Sequence, residues 1–527
     1  MLKKILLGSL VLLFLCGAGF PAIRITVPES PFVERNIWQD GVLGVVGAVE
    51  EQSFSAVDTR IRGRGNSTWW NGEDKRPLRF RFGEARSMFG SEYEARDWIL
   101  LANHFDGSLL RNYAALYLSR EMGRMHAVQT FQNVHLYVNG DYMGVYLLTD
   151  ERDVARLEIE FDEDPAISGF FIELDHRAPD SGVENETFVM VNDLPYDIRF
   201  PGSSRLSDDH VEYLKGFLAR VCLAIRTHDF DEVSRLIDID SFVDYYLVQE
   251  LFKNSDGPLS NFMYIDGVGN ERRLFMGPAW DFDISAGVNS RLPLGRHDDQ
   301  VIIMGMFSLW YRNLLKIPEF NSAVVTRWNE IYDAQIPQMM ERIEHLAVNY
   351  RAEFERNFIR HPFVYPTDSF VGQVAFLQSW MNERVNWLDD YFNGRNPDFD
   401  PIGALVEFHT NESPIQIELN GEPLSFEISP IILHGRTMIP ASELPFDVMV
   451  ERADDTIIIS NGYTTVTTTL YSPFFFVNDV EHDFIVSSVS AGGEIFLPLR
   501  QIAEIFGYDV YWNGSAITIA QIHTKSP

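Results

Sequence analysis

Polar and apolar residues alternate along Thr59–Arg64, with Arg60, Arg62 and Arg64 on one side and Thr59, Ile61 and Gly63 on the other, which predicts a strand. After the loop GNSTWWNGED the alternation resumes, Lys75, Pro77, Arg79 and Arg81 against Leu78, Phe80 and Phe82, and predicts a second strand. The spacing turns helical in GSLLRNYAALYLSREMG, where Leu109, Tyr113, Leu116 and Tyr117 share a face, Asp106 or Ser108 serves as cap and Gly123 as stop. VHLYV and DYMGVYLL flank Asn139-Gly140, a strong hairpin signal, and TDERD continues as a polar connector. Further on, SFVDYYLVQELFKN predicts a helix capped by Asp240 and ending at Asn254, followed by the loop SDGPLS. NFMYI and RRLFM read as short strands around a turn at Gly267 to Asn270, and GPAWDFD follows them. From Asn321 to Asn382 the helical spacing predicts packed helices.

The segment NGRNPDFDPIG, from Asn393 to Gly403, gathers Asn, Gly, Pro and Asp and marks a boundary. Beyond it the chain repeats itself. RTMIPASELPFDVMVERADDTIIIS from Arg436 parallels EIFLPLRQIAEIFGYDVYWNGSAITIA from Glu494, each a strand into Pro440 or Pro498, a short helix, and two more strands. At the other end, Lys3 and Lys4, an apolar run from Ile5 to Leu15 and the small residues Gly17, Ala18 and Gly19 have the layout of a secretory signal, placed at residues 1–21. The protein is therefore expected to be exported, secreted or held at the cell surface. Cys16 and Cys222 are too few for a disulfide framework.

Charge narrows the function. With 43 basic against 76 acidic residues, the net charge of −33 argues against nucleic-acid binding, which needs clustered Lys and Arg. Between Arg60 and Arg81, however, seven basic residues face only Glu73 and Asp74. A basic hairpin in so acidic a chain suits a polyphosphate. The thirteen histidines contain no H-E-x-x-H, and G-x-S-x-G is missing, which disfavours a zinc protease and a serine hydrolase.

The order of the elements carries more than any single motif. Strand, helix, hairpin and connector follow the order of a protein-kinase small lobe and hinge, placing the hinge at Thr149, Asp150 and Glu151. Four residues separate Asp256 from Asn261, the spacing of the base and metal-binding Asn in a kinase catalytic loop, and Asp281 stands where a DFG sequence has its metal-binding Asp. The blocks RIRGRGNSTWW with KRPLRF, WILLANHFDGSLLRN, YVNGDYMGVYLLTDE, ELFKNSDGPLSNFMY and GPAWDFD resemble those of the CotH family of atypical, secreted or spore-associated protein kinases. The C-terminal repeat resembles the stalk domain named for the N-terminal region of copper amine oxidases, a likeness that implies no copper site.

These resemblances imply an α+β fold: a two-lobed protein-kinase-like domain at 22–395, then a small α+β repeat domain at 404–527. They imply that Asp256 is the catalytic residue, that Asn261 and Asp281 hold Mg²⁺ or Mn²⁺, and that Arg62, Arg64, Lys75 and Arg79 grip the phosphates of ATP. Asp283, where DFG has Gly, is a further metal ligand or a structural acceptor. No Glu stands mid-helix between Ser108 and Arg120 to pair a strand lysine. The implied activity is transfer of the γ-phosphate of ATP to Ser or Thr hydroxyls of exported or spore-surface proteins. The alternatives are a non-catalytic adhesion protein on a kinase-like scaffold, or a kinase for a glycan or small molecule. The C-terminal domain is expected to localise the protein at the cell surface or wall, and its removal after Asn393 to leave turnover within a few-fold.

Overall fold

The computed structural model describes residues 19–521 except 29–34, 48–51, 66, 72–74, 153, 176–187, 193, 267–271, 289–301, 364–365, 396–405, 407–408, 411–413, 434–435, 454, 471–473, 485, 487, 492 and 513–515. The expected turn at Gly267 to Asn270 and nearly all of the expected signal segment lie outside the described residues.

The fold is α+β, and it begins with a closed barrel. Strands β1 (Ala22–Thr26), β2 (Gln39–Val46), β3 (Phe54–Gly63), β4 (Leu78–Arg86), β5 (Ala95–Leu101), β6 (Phe131–Val138) and β7 (Asp141–Asp150) pair in the order β1-β2-β3-β4-β5-β7-β6, and β1 closes the ring by running parallel to β6. Closure was not legible in the sequence, because β1 and β6 lie more than a hundred residues apart. The barrel fills itself with one side of each strand: Ile61, Phe80, Phe82, Trp98, Leu100, Leu136 and Leu148 are buried together. Opposite side chains of β3 and β4 face outward, so Arg60 pairs with Arg81 and Arg62 with Arg79 across the ladder.

Local departures from expectation have local causes. The loop after β3 contains a short helix, α1 (Ser67–Asn71), whose Trp69 packs on Gly63; a Cβ there would sit 2.2 Å from the indole. β4 starts only at Leu78, so Lys75 and Pro77 precede the strand and are not on its basic face. β7 runs through Thr149 and Asp150, which pair with Ile99 and Trp98, so the connector begins at Glu151. The Asn139-Gly140 turn is as expected, both residues having positive φ.

Helix α2 (Arg111–Met122) follows β5 and ends at left-handed Gly123. Its first turn is held by Asp106, which accepts the Arg111 N–H at 2.9 Å. A second sheet, order β12-β11-β8-β10-β9, is built from β8 (Phe170–Asp175), β9 (Phe188–Val191), β10 (Leu194–Phe200), β11 (Ser260–Asp266) and β12 (Arg273–Met276). Behind it lie α3 (Asp208–Arg226), α4 (Phe230–Leu236) and α5 (Ile239–Phe252). Asp238, not Asp240, caps α5 by accepting the Ser241 N–H, and the helix ends at left-handed Lys253. The helices expected after Asn321 are present, the longest being Phe370–Phe392.

The C-terminal repeat is visible element by element. The strands Arg436–Pro440 and Glu494–Pro498 begin the two copies and pair with each other antiparallel. The short helix of the first copy is a 3₁₀ turn (Ala441–Glu443), that of the second an α-helix (Leu499–Ile505). Alternation across the paired strands gives their sheet two buried faces. Ile439, Ile495 and Leu497 enter a core internal to the repeat, whereas Met438 and Phe496, with Ile431, Leu433 and Val489, belong to the same buried cluster as the helices before residue 393.

At the other end, Phe20 is 8% exposed, stacks on Tyr350 at 4.7 Å and meets Phe354 edge-on at 5.0 Å, and the Pro21 carbonyl accepts the His135 N–H. The folded unit thus includes Phe20 and Pro21, which the sequence pattern assigns to the leader.

Candidate active site

A cleft of about 900 Å³ opens between the barrel and the second sheet. The barrel supplies cations. Arg62 and Arg79 sit opposite each other on β3 and β4, Arg64 continues past the end of β3, and all three line the cleft with Arg35 and Arg152. Arg79 is held from both sides, by Asp97 at 2.9 Å and Glu151 at 2.8 Å. Arg62 donates to Asn36 at 2.7 Å and lies over the Trp38 ring. Burial lowers the Arg64 guanidinium to about 10, against partial compensation from Glu151. It remains charged at neutral pH.

The second sheet and its following loops supply acids. Glu173 and Asp175 of β8, Asp256 of the loop after α5, and Asp281 and Asp283 after β12 line the facing wall. Asp283 is 4% exposed, and its carboxyl is pushed well above the usual range by burial first and then by Asp281, Asp106 and Asp256. Glu151 goes the other way: burial would raise it, but Arg79, Arg152 and Arg64 together hold it below the ordinary value. Arg152 itself is sandwiched between Phe262 at 4.0 Å and Trp280 at 4.4 Å.

Of the residues named from sequence, Arg62, Arg64, Arg79, Glu151, Asp256, Asp281 and Asp283 come together in this one cleft. The others do not. Lys75 is 3% exposed inside the barrel, its ammonium 5.2 Å from the Tyr146 ring centroid and without a hydrogen-bond acceptor among the described residues. Burial lowers it to about 7, opposed by Asp106. Asn261 is a β11 residue whose neighbours Ser260 and Phe262 line the cleft; the pleat takes its own side chain elsewhere, and its buried Oδ1 has no partner among the described residues. Thr149 and Asp150 are fully buried, Asp150 accepting the Thr130 N–H and pairing with Arg156.

The family comparison spans the cleft. The model of the CotH kinase protein family matches residues 61–388, more than half of the chain and all of the cleft's principal side chains. The chain belongs to the CotH kinase protein family. A second model, the copper amine oxidase N-terminal domain, matches residues 418–521, the repeat unit. No curated protein matches the chain. Within the CotH domain, the sequence pattern passed over Glu173, Asp175 and Arg152, which lie on a strand and a connector with no motif of their own. It also passed over Asn112 and Asn254, which bond the acidic loops and are buried in helix and loop ends.

Among the described residues no three His, Cys, Asp or Glu side chains form a metal site by themselves. A nucleotide-borne cation asks for less, one or two carboxylates with phosphates and water completing the shell. Asp281 and Asp283 fit that demand: they are oxygen donors, and the buried Asp283 is already burdened by neighbouring negative charge.

Proposed function

We propose that the protein is an atypical kinase that transfers the γ-phosphate of ATP to Ser or Thr hydroxyls of exported or spore-surface proteins. One observation carries the reading: the cationic wall of Arg62, Arg64 and Arg79 faces Asp256, Asp281 and Asp283 across a single cleft. Phosphoryl transfer is largely positioning plus charge stabilisation, and this cleft offers both. Asp281 and Asp283 would hold Mg²⁺ or Mn²⁺, which when bound neutralises phosphate charge. The three arginines orient the phosphates from the opposite side. Asp256 sits in the same cleft as the group that orients the acceptor hydroxyl and takes its proton.

CotH membership supports kinase chemistry, and the Ser/Thr acceptor is the finer step proposed here. Export follows from the N-terminal charge and apolar pattern, with the leader removed before Phe20. The test is incubation of the full-length mature protein with labelled ATP and Mg²⁺ or Mn²⁺, alone and with protein acceptors. Label in Ser or Thr, lost in Asp256→Asn, supports the reading. Metal-dependent ATP binding without transfer to any acceptor would favour a binding role.

A further inference from the structure

The paired acids of the cleft are aimed by one peptide unit. Asp281 has φ 66°, a left-handed conformation that a non-glycine residue holds only with support. The peptide that follows it has both polar groups bonded to side chains. Its carbonyl, that of Asp281, accepts from Asn254 Nδ2 at 3.1 Å, and its N–H, that of Phe282, donates to Asn112 Oδ1 at 2.7 Å. This plane sets the backbone angles between the two carboxylates and therefore their relative direction.

The two asparagines come from different elements. Asn254 precedes Asp256 and accepts that residue's N–H on its own Oδ1 at 3.2 Å, so it ties the catalytic loop to Asp281. Asn112 stands in the first turn of α2, 3% exposed, with its Nδ2 donated to Asn103 Oδ1 at 2.9 Å. Its neighbour Arg111 is fully buried, donates to the Ser285 and Ala286 carbonyls at 3.0 and 2.9 Å, and is neutralised by Asp106. Ala286 is again left-handed, at φ 45°. The first turn of α2 thus grips residues 282–286 at both ends. These bonds reach backbone groups, so they fix direction without adding charge at the carboxylates.

We infer that Asn112 is a positioning residue, through which the first turn of α2 sets the geometry of Asp281 and Asp283 toward the cation. In this chain that coupling replaces the strand-lysine to mid-helix-glutamate pair, for which α2 has no glutamate before Glu121 in its last turn and the barrel only the enclosed Lys75. The inference rests on the proposed assignment of Asp281 and Asp283 to the metal.

The test is Mn²⁺ titration of the full-length protein with an ATP analogue, followed by paramagnetic resonance, which reads metal binding without turnover. Asn112→Leu keeps the volume and loses the acceptor; its half-saturation for Mn²⁺ should rise about tenfold or more, the usual effect of losing an outer-shell partner. Asn112→Asp keeps an acceptor oxygen for the Phe282 amide while giving up the Nδ2 bond to Asn103, so its half-saturation should rise clearly less than that of Asn112→Leu. Phe20→Ala, which lowers stability far from the cleft, should bind Mn²⁺ as the parent does. Parent-like affinity in Asn112→Leu, or equal weakening in the Leu and Asp variants, overturns the inference. Should Asn112→Leu not fold, Asn112→Ser, too short to reach the amide, carries the same test. Loss of Mn²⁺ in Asp281→Asn with retention in Asn112→Leu removes only the positioning role. A parent that binds no Mn²⁺ with the nucleotide removes the functional reading and this inference together.

Discussion

Asp256 and Asp281 share a cleft, but their proposed duties are separable. Asp281→Asn removes a carboxylate from the cation, so metal-dependent binding of a non-hydrolysable ATP analogue should weaken, and turnover with it. Asp256→Asn leaves that charge in place and should bind the analogue nearly as the parent does while transferring phosphate at least about 10²-fold more slowly. Calorimetry and a transfer assay on the two variants check this, and full transfer by Asp256→Asn would remove its assignment. Arg64→Ala should weaken nucleotide binding by about 1 to 3 kcal/mol, the range for a charge-assisted hydrogen bond. Lys75 belongs to a different category. Its folded-state value near 7 lies below the ordinary lysine value, so between pH 7 and about 10 the unfolded chain holds more protons and stability rises with pH. The Lys75 contribution to the slope should approach about 1.4 kcal/mol per pH unit, and the slope should fall by about that much in Lys75→Met, as read from urea unfolding between pH 7 and 9. Arg62, Arg64, Arg79, Asp256 and Asp281 were legible because each stands in a strand alternation or a spaced motif, whereas Arg152, Glu173 and Asp175, which also bring charge to the cleft, stand in neither. Lys75 was misplaced because sequence alternation continues before the strand does, and Asn261 because motif spacing does not report which side of a pleat a residue takes.

Elements make the same distinction between local and distant causes. The Asn139-Gly140 hairpin, the Gly123 stop and the repeat after residue 436 are local signals, and each appears where its chemistry puts it. Barrel closure by β1 against β6 is a long-range pairing with no local mark. The bond from Val145 N–H to Asn357 Oδ1 is likewise long-range: it ties β7 to the helix Arg351–Arg360 where Gly144, at φ 115°, lets that helix approach. The same helix presents Phe354 to Phe20. Phe20→Ala should therefore cost about 3 kcal/mol in urea unfolding, a typical loss for a buried aromatic, although the residue precedes the first strand. A change of a few tenths of a kcal/mol would show that the chain can begin after Phe20 without loss.

On the scale of the molecule, the C-terminal repeat reads in sequence as an independent stalk, because composition changes sharply at Asn393 and the repeat closes on itself. Packing modifies that expectation. One face of the sheet containing Arg436–Pro440 and Glu494–Pro498 serves the repeat's own core, and the other joins the buried cluster of the helices before it. Nothing in the alternation of Met438 with Ile439, or of Phe496 with Leu497, shows which partner each face meets, since both patterns describe a strand buried on two sides. Truncation after Asn393 uncovers the large domain's side of this contact, so the truncated protein should melt lower than the full chain and bind an apolar dye, even with every cleft residue present. Full-length protein should unfold in one calorimetric transition, because a shared core links the two units' unfolding. Two well-separated transitions, with the truncated domain melting where the upper one does, would restore the independent stalk. The cleft is built entirely before residue 393, so at temperatures where the truncated protein remains folded its ATP turnover should stay within a few-fold of the parent's, and loss there would assign the repeat a part in the chemistry.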